Sequence, residues 1–159
     1  MDEKSLFLKF WTKEGETTRK VISRVPEGSS YRPDPKSRTA REIAWLIARE
    51  EGLVAGGIAK GILDWVEEPP PATIKEIVDY FDRHHAEAVK TLQALEPAMW
   101  EREMPFMFGG QEVFKATGYE HAWITLFDQV HHRGQLSTYL RAMGSTVPQI
   151  YGPSADEPM

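Results

Sequence analysis

The chain has no cysteine. Disulfides, thiolate metal ligands and a cysteine nucleophile are therefore excluded, which fits a reducing cytosol. No stretch approaches the ~18 apolar residues that a membrane helix needs. The opening MDEKSLFLKF lacks a basic segment followed by an apolar run, so no signal peptide is expected and the expected location is cytoplasmic. Basic residues are in deficit, 19 Lys and Arg against 24 Asp and Glu, for a formal charge of −5. With no Lys/Arg cluster to offset that balance, nucleic acid is not an expected partner. Phosphate-loop, dinucleotide-fingerprint and Ser-His-Asp signatures are all missing. So are an internal repeat and a convincing alternation of strand type.

What is present is apolar enough to fold. The 159 residues are 41% hydrophobic and 11% aromatic, which argues against disorder and gives one domain, residues 1–159, a sizeable core. Helical periodicity predicts helices over about Lys4 to Val25, Ala40 to Val66, Ile74 to Leu95, and from Thr117 to a stop at Gly144. Thr39-x-x-Glu42, Thr73-x-x-Glu76 and Thr117-x-x-Glu120 match the capping box, in which a threonine side chain and a glutamate reciprocally satisfy exposed N–H groups. The polar middle of the first helix, TKEGETTRK, either faces solvent or lines a wet cleft. Gly52, Gly56, Gly57 and Gly61 in the second helix cost ~1 kcal/mol each in propensity. They imply close approach of another helix, or a break near Gly56. Ala98 to Lys115 reads as a short hairpin or an irregular cover. The tail after Gly144 is extended and pinned by Val147, Ile150 and Tyr151. The expected class is all-α: a four-helix bundle with a long irregular connection before the last helix.

The chemistry concentrates on the last helix. At ~100° per residue, His121, His132, Gln135 and Tyr139 fall within about 40° of Asp128. Leu126, Val130 and Ser137 point the other way, with Arg133 beside them. Asp128 and His132 are spaced i, i+4, so a carboxylate and an imidazole stand one turn apart and can share a metal ion or a proton. A buried ion pair that sets helix register is the structural alternative. A third ligand must come from elsewhere: Glu50 on helix two is the favoured one, with His121, His131 and the His84-His85 pair behind it. A solvated Glu50 within Arg49-Glu50-Glu51 is the plainer reading of that residue. Arg133 is expected to pair with a carboxylate or a carbonyl, and Gly134 to permit a close helix contact.

HHRGQLSTYLRAMG followed by VPQIYGPSADEP resembles the DinB-like superfamily, strongly over residues 131–157 and more loosely through DPKSRTAREIAWLIAREE. The resemblance implies a four-helix bundle of unusual connectivity, usually a homodimer, with a divalent metal, often zinc or nickel, in a cleft. Its pattern takes one histidine from helix two and two from the last helix, spaced His-x-x-x-His ahead of Arg-Gly-Gln. In this chain His132 holds the last ligand position, Asp128 the one before it, and Leu46 the helix-two position. The set Asp128, His132 and Glu50 is the expected metal site, on ligand type suited to Zn or Ni above Mg or Mn. Some relatives are transferases or isomerases that act with a small thiol such as bacillithiol or mycothiol. The expected function is thus a metal-dependent transferase or hydrolase acting on an unidentified small molecule. The alternative is a non-catalytic binding or structural module that has lost the metal.

Overall fold

In a computed structural model, which describes residues 2–159, the chain is mostly helical and carries a small sheet. The order is α1 (Glu3–Ser23), α2 (Ala40–Lys60), β1 (Leu63–Trp65), α3 (Ile74–Ala94), the five-residue α4 (Pro97–Glu101), β2 (Glu103–Phe108), β3 (Gln111–Thr117) and α5 (Gly118–Ala142). Among the four long helices, α2 packs on α3 and α5, and α1 packs on the same two.

The helix starts follow the capping chemistry of the sequence. Thr39, Thr73 and Thr117 each accept from the backbone N–H three residues on, and Glu42, Glu76 and Glu120 each accept the threonine's own N–H in return. At the far end of α5 the Ser145 N–H reaches back to the Leu140 carbonyl at 2.9 Å while Gly144 takes φ 77°. That left-handed residue is the expected glycine stop.

The all-α expectation is corrected by the three-stranded sheet, in the order β1-β2-β3. The second helix does not run to Val66. Gly61, at φ 80°, caps it after Lys60, and Leu63–Trp65 peel off to pair in parallel with Phe106–Phe108. A Cβ on Gly52 would lie 3.2 Å from His84 Nδ1 on α3, the expected neighbouring helix, whereas a Cβ on Gly57 would lie 2.8 Å from Leu63 Cγ, so there the close approach comes from the strand entering β1. There is no break at Gly56. Ala98 to Lys115 resolves into α4 and an antiparallel hairpin, turned by Gly109 and Gly110 at φ 57° and 80°. Two positive-φ residues between paired strands suit the twist of a tight hairpin. Pro105 is tolerated because β1 pairs only from Phe106 onward, so at Pro105 β2 has a neighbour on one side alone.

Two apolar clusters fill the interior. One, around Ile43, Ile47, Phe81 and Leu136, also receives Val147 and Ile150 from the tail. The other, around Phe7, Trp11, Ile58 and Leu126, lies at the sheet end. Tyr151 is 70% exposed and is held by its hydroxyl, not by packing. The polar middle of α1 turns inward: Glu14, Gly15 and Thr18 are buried. Gly134 faces open space and supports no helix contact.

Candidate functional site

The buried stripe of α5 runs through Ala122, Gln129, Arg133, Leu136 and Leu140. Its centre lies roughly 100° round the helix from Asp128. The Asp128–His132 row is therefore not the buried face but its border. There it looks into a cavity of about 570 Å³ between α2, α5 and the hairpin, lined by Leu46, Glu50, Trp65, Phe106, Asp128 and His132 among others. All three expected site residues thus reach one pocket, and so does Leu46, an alkyl side chain with nothing to offer a metal.

Glu50 is the deepest of the three, with only 4% of its surface exposed. Its Oε2 is buried and meets no donor among the described residues. Burial pushes its carboxyl well above the usual carboxylate range, and the neighbouring Asp128 carboxylate pushes it the same way. A protonated Glu50 resolves the mismatch, because it donates its hydroxyl proton to Asp128 instead of standing as an uncompensated buried charge. Asp128 is the ionised partner. His132 beside it holds its carboxyl down at about 2, and the Glu50 hydrogen bond acts in the same direction against partial burial. His132 Nε2 lies 3.4 Å from Asp128 Oδ2. Its Nδ1 donates to Gln135 Oε1 at 2.9 Å, and Gln135 Nε2 donates to His131 Nε2 at 3.0 Å. Asp128 first, and Gln135 after it, raise the His132 imidazole above its ordinary value against the cost of burial.

His121 takes a different role from the one its place on the wheel implied. It is 1% exposed, donates from Nε2 to the Met104 carbonyl at 2.9 Å and lies against Phe114. It rivets α5 to β2. His85, one of the fallback ligand candidates, accompanies a carboxylate outside this pocket: its Nδ1 is 3.0 Å from Glu51 Oε2. The opposite oxygen of Glu51 accepts from Gln129 Nε2 at 3.2 Å. Burial raises the Glu51 carboxyl, while His85 and Gln129 pull it back. Thus Glu50 meets Asp128 and the next residue, Glu51, meets Gln129: two successive rungs lock α2 against α5. The sequence reading missed Gln129 and Glu51. The acidic pair after Arg49 looked solvated, although its place on an apolar helix was a hint that at least one carboxylate turned inward. Arg133 behaves as expected, donating to the Glu14 carboxylate at 2.6 Å.

The donor set is chemically suited to a divalent ion: two carboxyl groups and an imidazole. Its arrangement is not. Among the described residues no group of three or more His, Asp or Glu side chains is placed so that it could hold a metal ion. Asp128 instead stands paired with His132, its Oδ2 3.4 Å from the imidazole Nε2.

An aromatic-walled pocket with a polar floor thus lies between two long helices and a hairpin of a mostly helical protein. The chain belongs to the DinB family, whose model matches residues 1–159. It is 26% identical over 154 residues to the uncharacterized protein YrdA of Bacillus subtilis (strain 168), covering 95% of this chain and 89% of that protein. Among solved structures it resembles a DinB-like protein from Bacillus cereus ATCC 10987, at TM-score 0.74 and 26% identity over 91% of this chain and 95% of that one. It also shares its fold with the DinB-like protein YjoA of Bacillus subtilis, at TM-score 0.71 and 19% identity over 97% and 99% of the two chains. Among the described residues, no helix is long and apolar enough to cross a membrane.

Proposed function

We propose that the chain binds a small, largely apolar molecule in the pocket and exchanges a proton with it through Glu50, Asp128 and His132. The observation that carries this reading is the buried Glu50 carboxyl set against Asp128 at the pocket floor. A neutral acid beside an ionised carboxylate, with an imidazole on the carboxylate's other side, is a set whose protonation states are pushed apart. Such sets are how acid–base work is done near neutral pH. His132 is the donor, Asp128 stabilises its charged form, and Glu50 holds Asp128 in place. The four long helices form the bundle in which such cleft sites are built.

The test is binding of a small-molecule fragment set to isotope-labelled, chelator-treated protein, read by NMR. Shifts clustered on Leu46, Phe106 and Asp128, with a displaced His132 titration in the bound state, are expected. Shifts confined to other surfaces, or an unmoved His132 titration, would overturn the reading.

A second reading is favoured by Asp128 and His132 standing side by side at the two positions where the family resemblance puts ligands. In it the protein is a metal-dependent transferase or hydrolase. Asp128, His132 and a deprotonated Glu50 would hold zinc or nickel, which supplies Lewis acidity to a bound water or thiol. Because the ion must displace the Glu50 proton, uptake would strengthen as pH rises. Melting curves with Zn, Ni and Mn at pH 6 and pH 8.5 decide between the two, since an ion that prefers the native state raises the melting temperature. Stabilisation that grows with pH and is lost in Glu50→Gln supports the metal; unchanged curves remove it. Homodimer formation, which the resemblance also implies, is checked by the mass in solution.

A further inference from the structure

The wall of the pocket above Glu50 is aromatic. Trp65, Phe106, Phe108, Phe114 and Phe127 line it, together with Leu46. Phe108, Phe114 and Phe127 are 46%, 38% and 64% exposed, a large apolar area to leave in water beside a cavity of drug-like size. One edge of this wall carries a cation. Arg38, at the end of the loop before α2, lines the pocket and also the two neighbouring cavities beside Trp45 and beside His132.

Arg38 differs from the other arginines of the chain. Arg19, Arg24, Arg49, Arg133 and Arg141 form ion pairs with carboxylates. Arg32 and Arg41 donate to the carbonyls of Pro35 and Ala72, Arg83 lies over the Tyr80 ring, and Arg102 lies against the Met99 sulfur. Arg38 has no such partner among the described residues. The carboxylates of the lining do not take its place. Asp128 is already matched by His132 at 3.4 Å. Glu67 and Glu42 share the second cavity with Arg38 and Glu50 shares this one, yet among the described residues none of the three forms an ion pair with it.

We infer that the pocket's ligand is an amphipathic organic anion: a flat apolar body laid against Phe106 and Phe114, and an anionic group that pairs with Arg38 at the mouth. A guanidinium is suited to this task. It offers a fork of donors to a carboxylate, sulfonate or phosphate oxygen pair and keeps its charge at any working pH. The aromatic wall supplies affinity by area and the arginine supplies orientation, which holds the anionic end at the mouth and the flat body along the wall. This inference rests on the pocket reading above but not on metal.

The experiment uses three shape-matched probes on chelator-treated full-length protein, titrated by NMR: 1-naphthylacetate, the neutral 1-naphthylacetamide and the cationic 1-naphthylmethylamine. The acetate is expected to bind about fivefold more tightly than the amide, the size of a partly exposed ion pair. Arg38→Gln abolishes that preference, while Arg32→Gln, on the same loop but outside this pocket, preserves it. Phe114→Ser weakens acetate and amide alike. Arg38 is exposed, so its substitution leaves the fold intact, which amide spectra verify. Equal binding of acetate and amide, tightest binding of the amine, or a preference that survives Arg38→Gln would sink the anionic assignment while leaving a working pocket. Failure of all three probes to shift any pocket residue would remove the pocket reading with it.

Discussion

Arg133 on α5 and Glu14 on α1 face each other through the helical interior at 2.6 Å, with side-chain exposures of 2% and 9%. The same Nη1 shares its two hydrogens among the Glu14 carboxylate, the Glu14 carbonyl and Thr18 Oγ1, while Nη2 donates to the Tyr151 hydroxyl, which in turn donates to Glu14. An ion pair this dry is sustained only because its hydrogen-bonding capacity is filled from three separate parts of the chain.

Removing one partner should therefore cost far more than removing both. Arg133→Met strands a buried carboxylate and is expected to lose about 3–5 kcal/mol, whereas Arg133→Met with Glu14→Leu recovers most of it. Urea denaturation of the two single variants and the double gives the coupling directly. A double variant no more stable than Arg133→Met would show that the pair is not an isolated electrostatic unit.

Glu50 carries an opposite sign in its pH dependence. Its folded-state carboxyl titrates above its unfolded value, mainly because of burial and then because of Asp128. Between the unfolded and the folded titration the unfolded chain has released that proton and the folded chain keeps it, so stability falls as pH rises past the ordinary glutamate range. Glu50→Gln is neutral in both states and escapes this loss. It should match wild type near pH 4 and melt a few degrees higher at pH 8, about 2–4 °C for each kcal/mol. Melting curves across that range check it; parallel curves for the two proteins would mean that Glu50 is ionised in the fold.

The Asp128–His132 pair has a window set from both sides. Asp128 is depressed to about 2, so its contribution is present above its unfolded value and fades as acid protonates it. His132 is raised, so its contribution is full below its unfolded value and is lost as pH climbs through the folded one. Both are intact only in mildly acidic solution. Because the Asp128 side chain is 47% exposed, Asp128→Asn should cost about 0.5–1 kcal/mol near pH 5.5 and little near pH 9. NMR titration of His132 should show its pKa falling in Asp128→Asn; an unchanged titration would separate the two residues.

Gly15, the one glycine of α1, is predicted to resist replacement. A Cβ there would lie 2.2 Å from His85 Cε1. The His85 ring cannot step aside easily: it stacks on Phe81 at 5.6 Å and on Trp11 at 6.4 Å, with Glu51 held at its Nδ1. Gly15→Ala should lose about 1–3 kcal/mol by overpacking in spite of alanine's better helix propensity. Adding His85→Ala should make the alanine much better tolerated. Thermal unfolding of the single and double variants reads both effects.

Much of this protein was legible in local patterns. Three Thr-x-x-Glu boxes marked the starts of α2, α3 and α5, Gly144 marked the end of α5, and the i, i+4 spacing put Asp128 and His132 together. Each depends on residues within one or two turns of each other, where backbone geometry alone dictates the contact. The family pattern over residues 131–157 extended that reading to the fold. The hairpin of β2 and β3 was one of two readings of Ala98 to Lys115, but β1 was hidden because it is three residues long and its partner lies about forty positions further on. The inward turn of Glu14, Glu50 and Glu51 was hidden for a related reason. A carboxylate's burial is decided by what stands opposite, and here that is Arg133, Asp128, His85 and Gln129, from other helices. Sequence determined where the helices begin and which residue types border the pocket. Only the tertiary packing decided which charges are dry, which proton Glu50 keeps, and that a lone arginine and a wall of aromatics meet at one opening, because electrostatics and solvation depend on neighbours in space rather than along the chain.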